Sequence, residues 1–165
     1  MPYIAIDTNI FEHLLNPAEN PCSDIDTLLV HLMRLEYKLL VDSTKKIGNE
    51  YQQKIVPIIK NMDETKPKLP ILRFWMDNNI RHQVVLDQLD NLMQQIKSVI
   101  YELNEHADRA FVYVVCAADA LLVTNDRDHI LGRRKDLLRR TKKNRGRNTD
   151  IQSSLDAFAN IGGNA

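Results

Sequence analysis

Two kinds of segment alternate along the chain. Tyr3-Ile4-Ala5-Ile6, Lys38-Leu39-Leu40-Val41-Asp42 and Ala120-Leu121-Leu122-Val123-Thr124 are short apolar runs bounded by polar residues, and they read as buried strands. Between them apolar residues recur at helical spacing. Asp7-Thr8-Asn9 offers caps for a turn or two of helix over Ile10 to Leu15. Asn16 to Ser23, with Pro17 and Pro21, reads as a loop. Asp24 caps a helix running to about Glu36, with Leu28, Leu29, Leu32 and Leu35 as its stripe.

Ser43 or Thr44 starts the next helix, carrying Ile47, Tyr51, Ile55 and Ile58, with Pro57 near its end and Lys66 to Pro70 as a break. One long amphipathic helix is expected from about Asn79 to Glu105. Its seam of Val85, Leu89, Leu92, Ile96, Val99 and Leu103 steps by fours and threes, suited to packing on its own domain, on a second copy or on a partner. Ala107 to Ala118 is apolar on most sides and reads as a buried helix. Ile151 to Asn160 is a last short strand or helix before Gly162-Gly163. Strands alternating with helices predict an α/β fold, a three-layer α/β/α domain around a mainly parallel sheet.

Composition narrows the class. Of 165 residues, 44% are hydrophobic and 27% charged, which excludes a disordered chain. Five Gly and six Pro exclude collagen-like and low-complexity sequence. No apolar run approaches the ~20 residues that span a bilayer, and no basic segment with an apolar stretch opens the chain. Cys22 and Cys116 have no partners at metal-ligand spacing, so free thiols and a cytoplasmic location without membrane contact are expected. The net charge is zero but uneven. Gly132 to Arg147 holds nine Lys/Arg (Arg133, Arg134, Lys135, Arg139, Arg140, Lys142, Lys143, Arg145, Arg147) and one acid. Such a run is either a solvated loop or a surface for a nucleic acid.

The acids carry the chemistry. Strands end at Asp7, at Asp42 and at the Asp126-Arg127-Asp128 turn, and ligands of open parallel sheets bind beyond the carboxyl ends of strands. Asp108 opens the buried helix, which runs antiparallel to the sheet and so begins at that same edge. Glu50, about two turns into the helix after Asp42, starts from that edge too. Taken singly, each acid reads more plainly as a cap or a solvated residue. Asp42 reads as a spectator or a cap, and Asp119 falls at the opposite edge. Together, converging carboxylates repel unless a cation joins them. Hard ions such as Mg2+ or Mn2+ favour oxygen ligands, and metal-assisted hydrolysis of a phosphodiester is the chemistry natural to such a site. Trp75, beside Arg73 and Phe74, reads as a core anchor or, less readily, as a base-stacking ring.

Four segments give this pattern a family likeness. Ile4-Ala5-Ile6-Asp7-Thr8-Asn9-Ile10-Phe11 is a strand running into an Asp-Thr-Asn triplet. Ile47-Gly48-Asn49-Glu50-Tyr51 carries a helical Glu. Ala107-Asp108-Arg109-Ala110 through Ala120 is an acid on an Ala-rich helix. Leu121 to Asp128 is a strand with a Thr-x-Asp-x-Asp turn. In order and spacing these resemble the motifs of the PIN-domain family, which includes metal-dependent ribonucleases and VapC-type toxins.

The resemblance implies a single PIN-like domain over residues 1–165; the segment at about 62–105, read as a helical insertion, is longer than in the smallest toxin-type members, and the basic segment at about 132–147 is unusual there. It implies that Asp7, Glu50, Asp108 and Asp126 hold Mg2+ or Mn2+ for catalysis, with Asp128 as a fifth ligand and Asn9 and Thr124 orienting the carboxylates. His129 stands where the family usually has an aromatic residue. The implied activity is endoribonuclease cleavage leaving 5′-phosphate and 3′-hydroxyl ends; by its charge, the basic segment would hold the RNA backbone. A toxin role would add an antitoxin partner, and the seam would allow a homodimer. The alternatives are a structure-selective DNA nuclease and a non-catalytic scaffold binding nucleic acid or protein.

Overall fold

The computed structural model describes residues 2–16, 24–86 and 90–162. In chain order the elements are β1 (Tyr3–Ile6), α1 (Thr8–Leu15), α2 (Ile25–Arg34), β2 (Lys38–Asp42), α3 (Lys46–Lys54), α4 (Val56–Asn61), α5 (Leu69–Met76), β3 (Arg81–Val84), α6 (Asp90–Lys97), α7 (His106–Ala118), β4 (Leu121–Val123), α8 (Arg134–Arg140), β5 (Asp150–Gln152) and α9 (Ser154–Ala157). The five strands form one sheet in the order β3-β2-β1-β4-β5, every pair parallel. Helices α6, α7 and α8 form one layer against it, while α1, α2, α5 and α9 pack together in the other. This is the three-layer α/β/α class expected.

Burial explains the readable strands. Ile4, Ala5 and Ile6 of β1 are wholly buried at the centre of the sheet, as are Leu39, Leu40 and Leu122 beside it. A strand covered on both faces has no polar alternation to show. Helix α7 lies against β1, β2 and β4, and every residue from Asp108 to Cys116 is buried. Trp75 is fully buried and packs edge-on to Phe74, so it is a core anchor.

The expected long helix over 79–105 does not form, and the segment expected as a helical insertion at 62–105 includes a strand beside its helices. That region holds a 3-10 turn at Asn78–Ile80, the edge strand β3, and helix α6 of eight residues. Only the middle of the seam is real: Leu92 and Ile96 are fully buried in the domain's own core, whereas Val85 is 47% and Leu103 84% exposed. Leu89 lies outside the described residues. The stripe is therefore not an apolar face running the length of one helix, and a homodimer cannot be argued from it. Arg81-His82-Gln83-Val84 escapes notice because an edge strand is half solvated and carries polar residues.

Three smaller differences have local causes. The helix after β2 breaks at Ile55, and Pro57 lies in the first turn of α4, where a missing N–H costs nothing. Asp42 is a cap: its carboxylate accepts the backbone N–H of Lys46 at 3.0 Å and of Ile47 at 2.8 Å, opening α3. The segment after Thr149 forms both a strand, β5, and a short helix, α9. Asp24 stands before α2 but makes no side-chain cap bond, and Leu35 lies past the helix end. The expected loop lies outside the described residues from Pro17 to Ser23, as does Cys22; Cys116 is a buried free thiol.

Candidate metal centre

Because all strands run the same way, their carboxyl ends share one edge, and the predicted acids meet there. Asp7 follows β1 directly; its backbone N–H donates to Val123 O at 3.0 Å, which pins it beside the end of β4. Its carboxylate is held on three sides. Thr124 Oγ1 donates to Oδ2 at 2.7 Å, Asn9 Nδ2 donates to the same oxygen at 2.9 Å, and the Asn9 backbone N–H reaches Oδ1 at 3.4 Å. Asn9 and Thr124 thus contact the acid they were expected to orient. Asn9 Oδ1 also accepts the Asn125 backbone N–H at 3.1 Å, and Asn125 Oδ1 accepts the Ser154 backbone N–H at 3.0 Å, so β1, β4 and α9 are tied at this point.

Glu50 reaches the same place from α3. The neighbouring Tyr51 turns inward and donates its hydroxyl to Ile6 O, anchoring α3 to the end of β1. The Thr8 hydroxyl sits between the two acids, 3.2 Å from Asp7 Oδ1 and in short contact with Glu50 Oε1. Lys54, one turn on, pairs with Glu50 at 3.0 Å.

The β4 turn supplies the third side. Asp126 Oδ1 accepts the backbone N–H groups of Asp128 at 2.9 Å and His129 at 3.0 Å, curling the turn over the crevice. That leaves Asp126 Oδ2 3.3 Å from His129 Nδ1. Asp108, in the first turn of α7, is 9% exposed; its Oδ2 is buried without a hydrogen-bond partner and lies 3.4 Å from the same imidazole nitrogen. Glu105 Oε2 is 3.9 Å from it.

Asp7, Glu50, Asp108, Asp126 and Asp128 therefore line one cleft of about 480 Å³, together with Glu105, Lys54 and His129. Asp128 is exposed at its rim, and Asp42 is not among its lining residues. Glu105 was missed in the sequence. Its signal is its position three residues before Asp108, one turn away at the start of α7.

Crowding marks the electrostatics. Burial pushes the Asp7 carboxyl up to about 6, opposed by the Thr124 hydrogen bond and reinforced by the charge on Glu50. Burial, then the charge on Asp7, pushes Asp108 up to about 9. Two acids that resist ionisation beside further carboxylates, one with an unpartnered buried oxygen, are a donor set short of a cation. The residues fit a hard divalent ion.

The basic segment lies elsewhere. Arg133 is committed to Glu102 through both terminal guanidinium nitrogens and to Val99 O at 2.9 Å. Arg134 pairs with Asp150 at 2.7 Å, Arg139 with Asp136 at 2.7 Å, and Arg145 holds Leu138 O at 3.1 Å. Lys135, Arg140, Lys142, Lys143 and Arg147 are exposed. The end of the segment leads into β5 at the edge where strands begin. There Asp119 accepts the Asn148 backbone N–H at 2.7 Å and the Thr149 hydroxyl at 3.2 Å. A Cβ on Gly146 would lie 2.0 Å from the Asp119 carboxyl carbon.

No protein-family model matches the chain, and no curated protein matches it. Among solved structures it is similar to VapBC2 from Rickettsia felis bound to a DNA fragment from their promoter. The identity is 13% and the TM-score 0.46, over 92% of this chain and 98% of that chain.

Proposed function

We propose that this chain is a Mg2+- or Mn2+-dependent endoribonuclease of the PIN type. The observation that carries the reading is the meeting of Asp7, Glu50, Asp108 and Asp126 in one cleft, where Asp108 Oδ2 is buried without a hydrogen-bond partner. Those four acids would hold the ion, with Asp128 at the rim. When bound, the cation supplies Lewis acidity, screening the charge of a phosphodiester and of the carboxylates around it.

The chain's own residues do the positioning. Thr124 and Asn9 fix the Asp7 carboxylate, and Thr8 fixes the spacing of Asp7 and Glu50. The backbone of the 126–129 turn fixes Asp126. Lys54 and Arg127 line the same cleft and supply positive groups where an anionic backbone enters. All four acid positions are filled, which favours catalysis over a scaffold. The exposed cations from Lys135 to Arg147 would hold the phosphate backbone away from the cleft. The preference for RNA, a toxin role and an antitoxin partner rest on the motif resemblance.

The test is cleavage of labelled single-stranded RNA, hairpin RNA and flapped DNA with Mn2+, by the parent, Asp7→Asn and Asp126→Asn. Metal-dependent RNA cleavage lost in both variants supports the reading, and cleavage retained in both overturns it. Cleavage confined to flapped DNA replaces the RNA assignment. Growth arrest on induced expression, relieved by co-expressing a neighbouring reading frame, tests the toxin role.

A further inference from the structure

We propose that His129 and Glu105 join Asp108 in a nitrogen-containing metal subsite that favours a transition-metal ion, Mn2+ or Zn2+, over Mg2+. This rests on the reading above that the cleft takes a divalent cation, and it adds two ligands from outside the acidic quartet.

The geometry supports a built site. One ligand atom from each of Glu105, Asp108 and His129 lies within 4.8 Å of the other two. The imidazole Nδ1 is 3.4 Å from Asp108 Oδ2 and 3.9 Å from Glu105 Oε2, with Asp126 Oδ2 at 3.3 Å. Donors that each stand about 2.0–2.2 Å from one ion are roughly 3–3.5 Å from each other. Small side-chain movements bring all three into range.

Two further observations separate this group from an ordinary acidic patch. Asp108 Oδ2 is buried without a hydrogen-bond partner, in a residue that is nine-tenths buried. The backbone that carries the imidazole is held in place, because the His129 N–H donates to Asp126 Oδ1 at 3.0 Å. The nearby carboxylate of Glu102 is occupied by Arg133 and does not compete for the ion. An imidazole suits Zn2+ best and is accepted by Mn2+ beside its oxygen ligands, whereas the smaller Mg2+ takes oxygen ligands and keeps its waters. A cleft with only carboxylates would not make that distinction.

The experiment uses the full chain, with pulsed electron spin echo spectroscopy of the Mn2+-loaded protein and calorimetric titration of Mn2+, Zn2+ and Mg2+. The parent is expected to show nitrogen-14 modulation that disappears in His129→Gln. That variant should weaken Mn2+ and Zn2+ by about tenfold or more while changing Mg2+ far less, whereas Glu105→Gln, which removes an oxygen donor, should weaken all three. Circular dichroism melts confirm that each variant folds. Mn2+ binding that depends on Asp7 and Asp126 but shows no nitrogen-14 modulation overturns this proposal and leaves the nuclease reading standing. Absence of any Mn2+ binding by the parent overturns both.

Discussion

Thr124 Oγ1 donates to Asp7 Oδ2 at 2.7 Å, across the boundary between β4 and β1. Thr124 Oγ1 in turn accepts the Asp126 backbone N–H at 3.0 Å, so one buried hydroxyl sets the distance between two acids of the cleft. Thr124→Val keeps the branched shape and removes both bonds. It should weaken Mn2+ binding about 10- to 100-fold, the usual cost of losing a group that orients a ligand. Calorimetric titration of parent and variant decides this, and equal affinities would show that Thr124 does not orient the acids.

The cation-free protein should lose stability as pH rises. The folded pKa values of Asp7 and Asp108, about 6 and about 9, lie above the ordinary value of 3.8, so the native state binds more protons than the unfolded one. The favourable contribution is complete below about pH 4. That of Asp7 is gone above about pH 6, and that of Asp108 fades towards pH 9. For Asp7 the loss is about 3 kcal/mol. Thermal melts in chelator from pH 4 to 9 should fall for the parent. Asp7→Asn should lessen the fall between about pH 4 and 6, Asp108→Asn should lessen it over the whole range, and Mn2+ should restore the parent at pH 8. A parent curve that rises over this range would be incompatible with the crowding.

The exposed cations on the turn into β5 should act through charge alone. Replacing Lys142, Lys143 and Arg147 by Gln should weaken single-stranded RNA binding. It should also lower the slope of log affinity against log salt by about 2, three phosphate contacts at ~0.7 each. Filter binding across a salt series measures it, and an unchanged slope would remove this surface from the RNA contact.

Gly146→Ala should destabilise the fold by about 1–3 kcal/mol, because the new methyl collides with the Asp119 carboxyl group. The displaced carboxylate would release Asn148 and Thr149 ahead of β5. Urea denaturation gives the value, and a variant as stable as the parent would mean that the turn repacks freely.

How much of this was legible depends on where each residue lies in the sheet. β1, β2 and β4 are central and nearly continuous in apolar residues, so they were readable. The edge strands, Arg81–Val84 and Asp150–Gln152, carry polar residues because one side of each meets solvent, and they were missed or left between strand and helix. The spurious helix over 79–105 arose where buried Leu92 and Ile96 of α6 fell in step with exposed Val85 and Leu103. The acids were legible because each stands at a topologically fixed point: the end of a strand or the first turns of a helix. Glu105 is marked in the sequence only by its place one turn before Asp108, and its meeting with His129 depends on how the turn after Asp126 curls back, which no spacing rule encodes. The basic run was visible as charge, but its ion pairs to Glu102 and Asp150 come from residues distant in sequence.

The acidic cleft and the turn bearing Lys142, Lys143 and Arg147 stand at opposite ends of the same strands. On the proposed reading, an oligonucleotide too short to reach from one to the other would engage them one at a time, whereas a longer one would engage both and make the second contact intramolecular. The molecule would then act as a ruler for such a ligand, with affinity climbing in a step at the length that bridges the sheet.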